Sequence, residues 1–162
     1  MSNYIESFIP EDQKRIFRFF ALFSRWECAL KHHFPRPGNY GEAQAGWEDF
    51  GNEAADLITA IDSAGYEEAR DYLLQNPPLR QHSENSQLIW KTNPKREKES
   101  DVNYLLRIVK DVRNNLFHGG KYQSGPIVEL ARDRRLIEAA STVLEACVNV
   151  DPRIREAFDE ES

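Results

Sequence analysis

The chain has 162 residues, 40% of them hydrophobic and 30% charged, with eight glycines, eight prolines and two cysteines. That length suits one domain that buries roughly two-thirds of its unfolded surface, and the mix excludes collagen-like repeats, global disorder and a disulfide scaffold. A net charge of −6 argues against a module that grips duplex nucleic acid across its surface, while leaving room for one local basic cleft.

The longest uninterrupted apolar run, Phe19 to Phe23, is far too short to cross a bilayer. The first residues lack the basic-then-apolar layout of a signal peptide. The expectation is a soluble, cytoplasmic chain of one domain over 1–162, with no membrane partner and with Cys28 and Cys147 reduced and buried.

After Pro10, the residues Ile16, Phe19, Phe20, Phe23, Trp26 and Leu30 recur at helical spacing through His33. Glu11 and Asp12 open this helix with favourable negative charge, and Pro35-Arg36-Pro37-Gly38 breaks it. Residues 39–46 read as a loop. Phe50, Ala54, Leu57, Ile58 and Ile61 mark a second helix from Trp47 to about Ser63, ending near Gly65. Tyr66 to Gln75 adds a short helix, stopped by Asn76-Pro77-Pro78. Residues 76–100 then read as an irregular polar loop, unusually long for a compact domain.

Ser100 caps the next helix, whose stripe is Val102, Leu105, Val109, Val112 and Leu116, with Gly119-Gly120 releasing the chain. A last long helix spans about Val128 to Val148, and Asp151-Pro152 opens a short terminal one. No stretch shows the alternation of a sheet. The predicted fold is all-α, an antiparallel bundle of four to five helices.

The segment carrying chemistry is Val112-Arg113-Asn114-Asn115-Leu116-Phe117-His118-Gly119-Gly120-Lys121. By average residue usage, Arg-Asn followed by His at this spacing arises by chance in roughly one per cent of chains of this length. Asn114 and His118 are one turn apart on the same side of an ideal helix, whereas Arg113 lies about 140° from His118. Arg113 and His118 converge only if the helix unwinds near Gly119 or if the partners come from two chains. That geometry favours a dimer cleft.

Arg113-Asn114-Asn115-Leu116-Phe117-His118 resembles the R-N-x-x-x-H signature of the HEPN superfamily (higher eukaryotes and prokaryotes nucleotide-binding domains). The run Phe23 to Lys31 is similar to the first helix of some small bacterial members. The resemblance implies a HEPN-like helical bundle and a metal-independent endoribonuclease, acting as a homodimer on RNA in a toxin–antitoxin or antiphage defence role, with an antitoxin or other regulatory protein as a further partner. In that chemistry the 2′-OH attacks the neighbouring phosphate. His118 moves protons near neutral pH, Arg113 neutralises the phosphate, and Asn114 holds His118 or the phosphate by hydrogen bonds. Lys121 adds charge at the mouth. The alternative is a catalytically inactive HEPN-like module that binds RNA or protein. Tyr122 departs from members regulated by nucleotidylation, which carry a tyrosine two residues after the histidine, where this chain has Gly120.

Glu27 falls in the middle of the first apolar stripe, where a carboxylate needs a partner. The expected partner is Arg113 across the bundle, with Arg25 and Lys31 reaching the cleft rim. His32-His33 point apart and lack further ligands one turn away, so no metal and no cofactor are expected. Lys91, Lys95, Arg96 and Lys98 alternate with Glu97 and Glu99 and read as a solvated loop. Trp26, Trp47 and Trp90 read as packing anchors.

Overall fold

In the computed structural model the described residues are 10–117 and 128–160. They form seven helices and two small hairpins, so the helical class holds while the strictly all-α expectation is corrected. Helix α1 (Pro10–His33) runs into a hairpin of β1 (Pro35–Pro37) and β2 (Ala43–Ala45). Then come α2 (Trp47–Glu53), α3 (Ala55–Thr59) and α4 (Ala64–Gln75). A second hairpin, β3 (Arg80–Glu84) and β4 (Gln87–Lys91), precedes α5 (Asp101–Phe117), α6 (Val128–Val150) and α7 (Pro152–Asp159). No helix among the described residues is long and apolar enough to cross a membrane.

The apolar stripe of α1 centres on Phe19, Leu22, Phe23, Trp26, Ala29 and Leu30, all buried. Phe20, expected inward, is 44% exposed, because the stripe turns at positions 22 and 29 rather than 20. Cys147 is buried as expected, whereas Cys28 lies on the outer face of α1 and is exposed. Helix α1 packs against α6 and α7, and α6 against α4. Helix α5 lies among α2, α4 and α6, burying Val102, Leu105, Leu106, Ile108, Val109 and Val112. One aromatic chain ties the first half of the molecule together. Trp26 meets Phe50 edge-on at 5.0 Å, and the Trp47 ring lies 5.3 Å from Phe23 and 5.8 Å from Trp26.

The helix expected from Trp47 to Ser63 is two pieces, interrupted at Ala54 and finished at Thr59. Gly65, expected as a stop, lies inside α4. Ser100 does cap α5, its Oγ accepting from Asn103 N at 3.1 Å. Asp151 caps α7, accepting from Arg153 N at 2.9 Å with Pro152 in the first turn.

The irregular loop expected at 76–100 is the largest correction. Half of it is the β3–β4 hairpin, in register from Arg80↔Lys91 to Glu84↔Gln87. Asn85 and Ser86 make its two-residue turn with φ of 49° and 63°, the left-handed pair whose twist suits such hairpins. Residues 92–100 are then tied to α5 rather than loose. Asn93 Nδ2 donates to Asp111 Oδ2 at 2.6 Å, and Arg107 donates to Pro94 O at 2.8 Å. Arg107 also forks onto both carboxylate oxygens of Glu99, each at 2.7 Å.

Candidate functional site

One face of α5 is polar, and its residues recur at helical spacing: Asn103, Arg107, Lys110 and Asn114. This stripe forms the floor of a cleft of about 550 Å3. The start of α2, with Gly46, Trp47, Glu48 and Asn52, makes one wall. Arg80 of β3 and the 92–100 segment, through Arg96, Lys98 and Glu99, make the other. Gly46 sits where its backbone N–H donates to Phe34 O at 2.8 Å, and an added Cβ would fall 2.5 Å from that carbonyl oxygen. Only glycine fits that corner.

The lining holds six cationic side chains (Arg36, Arg80, Arg96, Lys98, Arg107 and Lys110) and three carboxylates (Glu48, Glu99 and Asp111). In a chain of net charge −6, this is a local inversion of sign. Two of the carboxylates are consumed by the scaffold. Glu99 is buried under Arg107, whose guanidinium holds its carboxyl below the usual range. Asp111, 3% exposed, accepts from Asn93 and faces Arg80 Nε at 3.5 Å. Arg36 pairs with Asp49. Among the described residues, no carboxylate lies within ion-pair distance of Arg96, Lys98 or Lys110.

Lys110 is the innermost of these three cations. Its ammonium stands 5.6 Å over the Trp47 ring, a cation–π arrangement at a half-buried position. Burial pushes its pKa down, while Glu27 and Asp111 oppose that shift and Arg80 and Arg96 reinforce it. Trp47 thus serves two charges of opposite sign, because its indole N–H also donates to Glu27 Oε1 at 3.1 Å.

The residues expected from the sequence divide accordingly. Asn114 lines the cleft and accepts from Arg113 Nη1 at 3.1 Å. Arg113 lies 5.3 Å over the Phe23 ring. Glu27 answers to Trp47 and Lys110 in place of the expected ion pair with Arg113; the two groups meet around the same Phe23–Trp47 pair of rings. Asn115 parts from its neighbour, buried and donating to Leu79 O at 2.7 Å, which anchors the chain ahead of β3. Arg25, expected at the rim, is engaged with α7 instead: it stacks on Phe158 at 5.3 Å and donates to Glu160 O at 3.2 Å. Lys31 is exposed in the last turn of α1 and does not line the cleft. His118, Lys121, Gly119-Gly120 and Tyr122 lie outside the described residues.

Sequence reasoning missed Lys110, Arg107, Arg80 and the inward aim of Arg96 and Lys98. A signal for the first two existed, since the polar face of α5 repeats every three or four residues from Asn103 to Asn114. Among the described residues no group of three His, Cys, Asp or Glu side chains has metal-binding spacing. Three of the six lining cations are paired, while Arg96, Lys98 and Lys110 present donors with no carboxylate at ion-pair distance among the described residues, which suits an anion. Compared with known proteins, the chain matches no family model, no curated protein and no solved structure.

Proposed function

We propose that this chain is a HEPN-like endoribonuclease that needs no metal and works as a homodimer. The observation that carries the reading is the cationic cleft, which in an acidic chain opens onto Asn114 of the Arg113-Asn114…His118 motif. The 2′-OH of the substrate loses its proton to His118 and attacks the adjacent phosphorus. The P–O5′ bond breaks, the 5′-oxygen takes up a proton, and the products are a 2′,3′-cyclic phosphate and a 5′-OH. Arg113 offsets the extra negative charge on the phosphorane oxygens, and Asn114, already bonded to Arg113, holds its orientation.

The test is cleavage of a labelled single-stranded RNA in EDTA by wild-type and His118→Ala protein, with the ends of the products identified. Cyclic phosphate ends from wild type, and a loss of at least about 100-fold in the variant, support the reading. No cleavage by folded wild-type dimer overturns it. A second reading, binding without turnover, is favoured by one observation: Arg113 is already packed on Phe23 and bonded to Asn114. It expects RNA affinity that His118→Ala leaves unchanged.

A further inference from the structure

We propose that the cleft between α5, the start of α2 and residues 92–100 is a seat for the sugar–phosphate backbone of single-stranded RNA, with one phosphate against Lys110 and neighbouring phosphates against Arg96 and Lys98. This rests on the ribonuclease reading for its choice of ligand, but the site is built from residues outside the motif.

Three observations carry it. The first is charge left over by design of the scaffold. The buried carboxylates Glu99 and Asp111 are spent on Arg107, Asn93 and Arg80, so the segment is held in place while the cations it presents stay uncompensated. Arg80 and Arg96 repel the Lys110 ammonium, Glu27 and Asp111 offset part of that cost, and an anion seated among the cations relieves more of it.

The second is rigidity. Arg96 and Lys98 sit on a segment pinned at Asn93, Pro94 and Glu99, and Arg96 N donates to Glu99 Oε2 at 3.0 Å. Their backbone is therefore ordered before any ligand binds, which lowers the entropic cost of binding.

The third is the kind of surface offered. Trp47 is only 6% exposed and lies beneath Lys110, leaving no open aromatic face on the cleft floor for a base to stack on. Guanidinium, ammonium and the amides of Asn52, Asn103 and Asn114 dominate instead. They read phosphate and sugar oxygens rather than base identity. At about 550 Å3 the cleft encloses a nucleotide or two of a single strand and is too small to admit a duplex.

The test uses the full chain and a fluorescent 2′-O-methyl octaribonucleotide, which lacks the attacking hydroxyl and so reports binding alone. Anisotropy is followed across a salt series for wild type, Arg96→Glu/Lys98→Glu, Lys110→Met and the control Lys14→Glu, each checked for wild-type circular dichroism. The exposed double variant disturbs no ion pair. It is expected to weaken binding at least about 30-fold and to lower the salt slope by about 1.4, the value for two single-strand phosphate contacts. Lys110→Met is expected to weaken binding about 10-fold and Lys14→Glu less than about 2-fold.

Equal affinity in wild type and the double variant overturns the proposal. So does an oligonucleotide bound no more tightly than inorganic phosphate, which would leave a simple anion site. Cleft-dependent binding without any cleavage by wild type upholds this proposal and removes the ribonuclease reading. Cleavage whose KM ignores the double variant does the reverse.

Discussion

Trp47 shows how much one side chain can organise. Its ring packs in the aromatic chain with Phe23 and Trp26, its N–H satisfies Glu27, and its face carries Lys110. The odd carboxylate in an apolar stripe is legible from periodicity alone; its partner is not, because pairing depends on where the loop after α1 returns the chain. Arg113 and Asn114 are legible as a motif, yet their division of labour with Asn115 emerges only from which amide faces the cleft. Two other buried groups yield a pH prediction. Burial pushes the Cys147 thiol from 9.0 and the Tyr66 phenol from 10.0, each up to about 12. Both are raised acids, so the folded state keeps its full advantage below pH 9 and loses it as pH climbs towards 12, where the unfolded chain ionises first. Urea midpoints measured from pH 8 to 11 are expected to hold steady and then fall. Tyr66→Phe is expected to fall less steeply above pH 10; an identical slope counts against the phenol's part in it.

Among the elements, the long helices were readable because each buries one stripe at a period of three to four residues. The hairpins were not, for a physical reason. In β1 and β3–β4 nearly every residue is exposed on both faces, so no alternation of apolar and polar residues exists to be seen. Turn chemistry at Asn85-Ser86 and cross-strand pairing hold β3–β4 instead. The break at Ala54 is equally silent, since both halves bury residues as one continuous helix would. The segment at 92–100 depends on the Arg107–Glu99 fork, whose side chains are 11% and 8% exposed. Glu99→Gln leaves that guanidinium buried without its counter-charge and is expected to cost about 3 kcal/mol in urea denaturation. It should also raise hydrogen exchange across 92–100 while sparing α1 and α6. Uniformly faster exchange would mean that the fork supports the whole fold rather than this segment. Because Arg107 holds the Glu99 carboxyl below its ordinary range, the fork's contribution is present above that ordinary value. It fades as pH drops through the depressed one, so the wild-type protein should lose the same segment first in acid.

At the scale of the whole molecule, the contrast is between an acidic exterior and a basic recess. A net charge of −6 slows the approach of any polyanion, so the RNA of the proposed activity would have to be captured by the short-range field of the cleft. Geometry bears likewise on the proposed dimer. On an ideal helix Arg113 and His118 point about 140° apart, and Arg113 turns towards Phe23 of α1 while Asn114 faces the cleft. A site assembled from the Arg113 of one subunit and the His118 of the other meets this geometry without unwinding α5. It makes a distinctive prediction. Arg113→Ala and His118→Ala proteins, each inactive alone, are unfolded together and refolded as a mixture. Half of the resulting dimers are heterodimers, and each of these has one site with both residues intact and one with neither. Activity on RNA should therefore return to about a quarter of the wild-type level. A site confined to one subunit gives no recovery at all, because every chain in the mixture lacks one of the two groups. The recovered activity should further vanish when the His118→Ala partner also carries Arg113→Ala, since that chain supplies the only intact arginine. Arg113→Ala protein as active alone as wild type would show that Arg113 plays no part in the reaction and would remove the shared site.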